Sequence, residues 1–342
     1  MIQRITRALS LCILLFIPFH GIMAENLVTR DSLNNTTDTL KNGFFHRFYR
    51  YFQQSNKVKE EKKFDFSVIG GPHFSSDTKL GLGVVASGLY RIDREDKSIS
   101  PSNISLYGDI TTTGFYLLGI RGNTIFPKDR FRANINMYFF SFPSQYWGIG
   151  YDNAKDEDHN TDYKRLEQQV KVEFLYRLAQ NLYAGANLMF RNVSVKDFDD
   201  ISFLNGEKKN VASFGPGLVI SYDSRDFIPN PSKGFFAQFE QQFFPEFLGN
   251  DHNFKRTSID FRYYQKMWKG AILASQIQGI FNYGTTPWSM VALMGGSYSM
   301  RGYYEGRYRD NDLVQFQVEY GVDERRSFLF SHRSHISAVQ SQ

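Results

Sequence analysis

Cysteine is almost absent from this chain. Its single cysteine among 342 residues is Cys12, inside residues 1–24, which have the layout of a signal peptide. Basic residues precede the nearly continuous apolar run 8–19, and small residues follow it up to Ala24. A transmembrane anchor is the competing interpretation, but the run falls short of the roughly 20 residues that a spanning helix needs. After cleavage at Ala24, neither a disulfide nor a thiol site is available.

Long apolar runs and dense basic clusters are also missing after residue 24. The 40 basic and 35 acidic residues are scattered and leave a net charge of +5, so no nucleic-acid partner is predicted. Mean hydropathy is −0.41 although aromatic residues make up 16% of the chain. This combination is typical of strands with one apolar and one polar face. Such a chain could enter a membrane only as a β-barrel.

Sequence signatures of catalysis are lacking as well. There is no Gly-x-Ser-x-Gly elbow and no phosphate-binding loop. Among the seven histidines only His332 and His335 are close in sequence, and the acidic stretch 156–158 is typical of a solvated loop. We therefore predict no catalytic residue, no metal site and no cofactor, and we do not expect an enzyme.

A two-residue hydrophobic period recurs from Phe64 onward. In one segment, Val170, Val172, Phe174 and Tyr176 alternate with Lys171, Glu173 and Arg177. Successive side chains of a strand point to opposite faces, so the first set is predicted to face outward and the second inward. The pattern predicts twelve strands, at 64–75, 79–92, 103–113, 115–126, 131–142, 167–179, 182–195, 212–222, 234–245, 256–268, 271–283 and 312–321.

A soluble β-sandwich would show the same alternation and is the alternative fold. However, many segments reach ten residues, whereas strands average about six. Their apolar faces end in aromatic residues such as Tyr146, Phe244 and Trp268, as expected for strand ends at the lipid headgroups. Long polar connections also alternate with short turns, and they lie at 151–164, 199–210, 246–254 and 285–311. The prediction is an all-β fold, a transmembrane antiparallel β-barrel of the outer-membrane type over residues 64–321.

The segment 25–63 precedes this predicted barrel. Apolar residues at helical spacing predict an amphipathic helix over 40–53. Two positions are open for this helix: the periplasmic end of the barrel, in or on its mouth, or the periplasmic leaflet, with arginines toward lipid phosphates.

The stretch 295–310, GGSYSMRGYYEGRYRD, connects the last two predicted strands. Its core, Met300-Arg301-Gly302-Tyr303, resembles the signature loop of the BamA/TamA-type outer-membrane assembly superfamily, also called the bacterial surface antigen family. The stretch YWGIGYD at 146–152 is similar to a Gly-x-Gly strand end of shorter members. The segment 222–240 resembles the family's strand–turn–strand motif through Asp223, Arg225, Asp226, Asn230, Pro231 and Gly234.

The resemblance implies a 16-stranded barrel whose signature loop folds into the lumen, where the loop arginine pairs with an acid. Glu319 is the only acid on the predicted inner face of strand 312–321, so we predict it as the partner of Arg301. We expect Gly302 to let the backbone bend sharply beside the arginine. We also expect Tyr303 to stack while its hydroxyl stays hydrated.

Two features depart from the family pattern. The segment 25–63 is too short for the periplasmic α/β repeats of the large assembly proteins, which implies a short, barrel-only member. Alternation fades over the tail 322–342, where the family pattern would continue with four more strands. This tail is interpreted as atypical, from a truncated or frame-shifted reading frame.

The resemblance implies an integral protein of the outer membrane of a Gram-negative bacterium that acts in assembly or translocation of outer-membrane components. The alternative is a small porin-like or structural barrel without assembly activity. A loop that plugs the lumen would argue against an open pore. Expected partners are outer-membrane lipid and, for an assembly role, unfolded outer-membrane proteins or periplasmic proteins.

Overall fold

The computed structural model describes residues 64–75, 79–96, 99–268, 271–296, 299–322 and 336–340. The predicted signal peptide, the segment 25–63 with its predicted helix over 40–53, and most of the tail lie outside the described residues. Within the described part of the chain, no helix has the length and apolar character needed to cross a membrane.

The described chain is almost entirely β-structure. Strands β1–β11, β14 and β15 form one antiparallel sheet in chain order, and β12 and β13 form a separate pair. One short helix, α1, spans Tyr151–Lys155. The strands are β1 Phe64–Ser75, β2 Lys79–Tyr90, β3 Ser102–Thr111, β4 Tyr116–Ile125, β5 Phe131–Tyr146, β6 Thr161–Ala179, β7 Leu182–Lys196, β8 Asn210–Asp223, β9 Gly234–Phe244, β10 Phe254–Lys266, β11 Ala271–Gly284, β12 Ala292–Leu293, β13 Arg309–Asp310, β14 Asp312–Val322 and β15 Ile336–Gln340.

All twelve predicted strands are present, with differences at their ends. β5 and β6 are longer than predicted, so the loop between them covers 147–160 rather than 151–164. Strand β15 was not predicted. It lies in the tail interpreted as atypical and pairs with β14, with Ile336 opposite Val318.

Because consecutive strands are antiparallel, every second connection along the chain lies at the same end of the sheet. Connections 91–101, 126–130, 180–181, 224–233 and 267–270 form what we call the turn end. The long connections 147–160, 197–209, 245–253 and 285–311 all lie at the opposite end, which we call the loop end. The four predicted long loops thus share one end, as predicted, but the turn end also includes the long connections 91–101 and 224–233, and the short connection 112–115 lies at the loop end.

The two faces of the sheet differ as predicted. On β6, Val172, Phe174 and Tyr176 are 38%, 51% and 38% exposed, whereas Glu173 is 7% exposed. The exposed apolar face is the outer face, and the polar face with Glu173 is the inner face.

Contacts between distant strands show that the sheet curves around its inner face. Lys171 Nζ on β6 lies 2.6 Å from Glu240 Oε2 on β9. At the turn end, the Ile228 N–H donates to Ser100 Oγ at 3.2 Å, which joins the β8–β9 turn to the β2–β3 connection. Polar side chains of the inner face therefore meet across the interior.

The prediction that strand-end aromatic residues face lipid is wrong for Tyr146 and Phe244, which are 1% and 0% exposed. Both belong to the inner face: β5 continues beyond its predicted end to Tyr146, and Phe244 alternates in step with the buried Glu240 and Gln242 of β9. Tyr146 packs there against Trp288 from the connection 285–311, with 6.4 Å between ring centroids. Trp268 at the turn end is 68% exposed, in agreement with the prediction.

Candidate functional site

The signature loop, residues 285–311, contains the short ladder between β12 and β13. Backbone bonds extend this ladder: the Met294 N–H donates to Tyr308 O at 3.0 Å, and the Gly306 N–H donates to Met294 O at 2.9 Å. Ala292, Met294, Met300 and Leu313 form a buried apolar cluster under the loop. The base of the loop is therefore a small folded unit with its own core.

The tip of the loop, residues 299–301, follows the inner face of β14. Gln315 Nε2 donates to Ser299 Oγ at 3.0 Å, and the Met300 N–H donates to Gln317 Oε1 at 3.3 Å. Arg301 Nη2 donates to Glu319 Oε1 at 3.0 Å. Three successive loop residues thus contact three successive inner-face residues of β14.

These β14 side chains are themselves held by neighbouring strands. Gln317 Nε2 donates to Gln276 Oε1 on β11 at 2.7 Å, and Gln276 Nε2 donates to Asp260 Oδ1 on β10 at 2.9 Å. Arg262 Nε also donates to Asp260 Oδ2, at 3.0 Å. This chain of hydrogen bonds across β14, β11 and β10 orients the Gln317 amide, whose oxygen accepts a hydrogen bond from the Met300 N–H. Gln276 and Asp260 were not predicted as part of the site, although both lie at inward positions of the two-residue period.

The ion pair of Arg301 and Glu319 is partly hydrated. Their side chains are 37% and 25% exposed. Water screens a pair of this kind, so its contribution to stability is small, on the order of 0.2–1 kcal/mol. Within the tip, Arg301 is thus held more lightly than Met300, whose buried side chain belongs to the apolar cluster of the base.

The backbone bends at Gly302 as expected, in a turn that the Tyr303 N–H closes by donating to Met300 O at 3.0 Å, but the bend does not depend on this glycine. Its φ is outside the left-handed region, and a Cβ added there would meet no atom within 4 Å. The left-handed residue beside the arginine is Met300, with φ of 49°. Its buried side chain and its bonded N–H hold this less favourable backbone conformation in place. Close packing instead requires glycine at Gly295, where an added Cβ would lie 2.7 Å from Tyr303 O.

The rest of the signature loop is attached to the connection between β5 and β6. Tyr304 Oη accepts a hydrogen bond from the Gln145 N–H at 3.1 Å, and its ring lies 5.4 Å from that of Trp147. Arg307 Nε donates to Ala154 O at 3.1 Å. Tyr303, by contrast, is 41% exposed, and its ring lies T-shaped to that of Tyr308, with 6.1 Å between the ring centroids.

The inner wall beneath the loop contains an ionic cluster that the sequence analysis did not single out. Glu167 Oε1 accepts hydrogen bonds from Arg191 Nε and Tyr138 Oη, each at 2.7 Å. Arg165 also donates to this buried carboxylate, and its Nη1 lies 3.7 Å from Glu305 Oε1 of the loop. Alternation placed these residues on the inner face, but only strand curvature shows which of them meet.

The strand–turn motif lies at the opposite, turn end. Asp223 Oδ2 accepts from Arg132 Nη1 at 2.7 Å, and Asp223 Oδ1 accepts from Arg225 Nε at 2.8 Å. The Arg225 guanidinium also lies 4.5 Å from the Phe236 ring. Arg132 was not recognised from the sequence, since it is remote in the chain and is brought to Asp223 by sheet curvature.

Asp226 closes the turn that follows. Its carboxylate accepts from the N–H groups of Phe227, Ser232 and Lys233 at 3.0, 2.9 and 3.2 Å, and from the Ser232 hydroxyl. Partial burial would raise the pKa of Asp226, but these hydrogen bonds outweigh it and hold the pKa below its usual value. At the end of the turn, Gly234 has φ of 113°, and an added Cβ would lie 2.4 Å from Ser224 O.

Asn230 and Pro231 occupy the tip of this turn. Asn230 is exposed, and its N–H donates to Phe227 O at 3.2 Å. The motif therefore divides into a buried ionic part around Asp223 and a solvent-facing tip at Asn230. Within the described residues there is no group of acidic, histidine or cysteine side chains that could hold a metal ion.

The sequence profile of the Omp85 superfamily domain matches residues 118–331, more than half of the chain. The matched region includes the strand–turn motif and the signature loop. The chain belongs to the Omp85 superfamily. The predicted family resemblance is thereby confirmed, since BamA-type proteins are members of this superfamily.

Solved structures are similar to this Omp85 chain at low identity. CdiB from Escherichia coli is 11% identical with a TM-score of 0.52, and the match covers 77% of this chain and 49% of CdiB. BamA from Haemophilus ducreyi lacking POTRA domains 1-3 is 12% identical with a TM-score of 0.46, and the match covers 75% of this chain and 53% of that one. The chain spans about half the length of each. No curated protein matches it.

The likeness to CdiB and the family together establish the fold class. It is a transmembrane antiparallel β-barrel of the outer-membrane type, as the alternation of the sequence predicted. The inner face of the sheet is accordingly the lumen side, and the outer face is the lipid side.

Proposed function

We propose that this Omp85 chain is an integral protein of the outer membrane of a Gram-negative bacterium and acts in assembly or translocation of outer-membrane components. One observation carries the proposal: the loop tip, residues 299–301, lies on the lumen side of β14 with Arg301 on Glu319. A loop in this position obstructs free diffusion through the lumen. It thus favours assembly or translocation over the porin-like alternative.

The contrast between the base and the tip of the loop supports a movable element. The buried apolar cluster holds the base together with the Met300 side chain of the tip, whereas Arg301 at the end of the tip is held by a partly hydrated ion pair. Exposed ion pairs contribute about 0.2–1 kcal/mol each, so a client could displace Arg301 from Glu319 at modest cost while Met300 and the base stay packed. Clients on this proposal are unfolded outer-membrane proteins, delivered directly or by periplasmic partners.

An assembly assay tests this function. The full chain is incorporated into liposomes, and the insertion rate of an unfolded outer-membrane β-barrel is measured by its gel mobility without heating. We expect faster insertion than in empty liposomes, and a smaller acceleration with Arg301→Ala. Lys209→Gln is the control, since Lys209 is an exposed residue of another loop at the loop end.

The porin-like alternative makes the opposite prediction. A steady open-pore conductance in planar bilayers, together with no acceleration of insertion, would contradict the assembly role. Fractionation of cells that carry the tagged full-length chain tests the location, and recovery with the inner membrane would be evidence against it.

A further inference from the structure

The lipid side of β5 and β6 carries a group of aromatic rings at the turn end. The Phe131 ring lies 5.5 Å from Phe174 and 5.2 Å from Tyr176, centroid to centroid. Phe174 and Tyr176 are among the exposed apolar residues of the outer face. Aromatic rings at this height of an outer-membrane barrel lie at the level of the lipid headgroups.

Two exposed cations, Lys128 and Arg130, stand in the turn beside these rings. The Arg130 guanidinium carbon lies 5.7 Å from the Tyr176 ring centroid and 5.9 Å from that of Phe131. Contact with ring faces holds a guanidinium in place without neutralising it. In the part of the chain that the structure describes, no ion pair involves Lys128 or Arg130.

The acid between them in the sequence is engaged elsewhere. Asp129 accepts from Arg132 Nε at 2.8 Å and from Arg132 Nη2 at 2.7 Å. Tyr183 Oη also donates to Asp129, at 2.5 Å, and both of these partners are buried on the lumen side. The negative charge of the turn is therefore paired inside the barrel. The Arg130 guanidinium remains against the rings of the lipid side, and the exposed Lys128 lies in the same turn.

We propose that Arg130 and Lys128 bind the phosphate of an anionic glycerophospholipid whose acyl chains lie on Phe131, Phe174 and Tyr176. The planar fork of arginine suits a phosphate oxygen pair, and the lysine adds a second charge. Short turns of outer-membrane barrels face the periplasm, so this site lies in the leaflet made of glycerophospholipids. The lipid would be bound through its headgroup, with the aromatic surface beneath its glycerol.

Native mass spectrometry of the full chain tests this site. The protein is released from detergent micelles that contain equal amounts of phosphatidylglycerol and phosphatidylcholine, and the retained lipids are counted. We expect a preference for phosphatidylglycerol that falls about fivefold with Arg130→Gln, and further with Lys128→Gln in addition, since each cation near an anionic headgroup contributes on that order. Arg130→Lys keeps the charge without the fork and should retain an intermediate amount.

Matched controls make the result decisive. Lys209→Gln removes an exposed cation at the loop end and should leave the lipid preference unchanged. An unchanged preference in the Arg130→Gln, Lys128→Gln double variant would overturn the proposal. A further measurement replaces phosphatidylglycerol in the micelles by lipid A. Retention of lipid A equal to that of phosphatidylglycerol, with the same dependence on Arg130, would overturn the assignment to a glycerophospholipid. Gel mobility without heating shows that each variant is folded before its lipids are counted.

Discussion

The strand–turn motif and the signature loop are each built around an arginine–carboxylate pair, yet the protein holds the two pairs very differently. Asp223 is 2% exposed and lies between two arginines, at 2.7 Å from Arg132 and 2.8 Å from Arg225. Glu319 is 25% exposed and receives one arginine at 3.0 Å. The carboxylate at the turn end is therefore buried between two arginines, whereas the carboxylate at the loop end is partly hydrated and bonded to one arginine.

Burial is the physical reason for the difference. Removing one partner of a desolvated ion pair leaves an uncompensated charge in a low-dielectric site, which costs about 3–5 kcal/mol. Water solvates what remains of an exposed pair, and the same change costs on the order of 0.2–1 kcal/mol. A motif match in the sequence does not distinguish a buried ion pair from a partly hydrated one. The four experiments below compare the two motifs, from the largest expected effect to the smallest.

The largest effect is expected for Asp223→Ala, which leaves Arg132 and Arg225 without their shared buried carboxylate. We expect the free energy of unfolding to fall by about 3–5 kcal/mol. Urea titration in detergent micelles measures this change. Asp152→Ala is the control, because Asp152 also pairs with a cation but is 94% exposed. Similar losses for both variants would remove the distinction between buried and exposed pairs.

The second comparison uses the glycines of the two motifs. Gly234→Ala places a Cβ 2.4 Å from Ser224 O at φ of 113°, so we expect destabilisation of about 1–3 kcal/mol. Gly302→Ala meets no atom within 4 Å, and we expect a change within roughly 0.5 kcal/mol. Both variants are compared by the same titration. A larger loss for Gly302→Ala would mean that the loop tip is packed more tightly than the structure shows.

A smaller effect is expected for the pair of Arg301 and Glu319, whose role as partners in the working protein stays a prediction. A double-mutant cycle with Arg301→Ala and Glu319→Ala should give a coupling energy on the order of 0.2–1 kcal/mol at low salt, and less at high salt. Unfolding in micelles measures the coupling. Additive effects of the two changes would contradict an interaction in solution. A coupling energy of several kcal/mol would contradict a weak, partly hydrated ion pair.

The smallest effect concerns the pH dependence of the β8–β9 turn. The pKa of folded Asp226 is lowered, so its hydrogen bonds stabilise the protein above the pKa of the unfolded carboxyl, about 3.9. This contribution is lost as pH falls through the folded pKa. The stability difference between wild type and Asp226→Asn should be largest near neutral pH and shrink below about pH 4. Unfolding midpoints between pH 7 and pH 3 measure it, and a difference that grows with acidity would have the wrong sign.

Much of the fold could be predicted from the sequence because strand alternation is a local property. The faces of β6 followed from its two-residue period, and all twelve predicted strands exist. The contact between Arg301 and Glu319 was also accessible, since the inner face of β14 has one acid. Gly302 shows the limit of motif reasoning: the chain does turn there, but the left-handed backbone, which favours glycine, belongs to Met300.

The sequence by itself determined the alternation of lumen and lipid faces along the strands, although it misplaced Tyr146 and Phe244, and it determined which family motifs the chain carries. Only the tertiary structure decided how the lumen residues are combined: Arg132 with Asp223, 91 positions apart, and Gln276 with Gln317 beneath the loop tip. It also decided that one motif pair is buried and the other partly hydrated. The period of a strand is set by its own backbone, whereas contacts across the lumen depend on curvature and register summed over many strands.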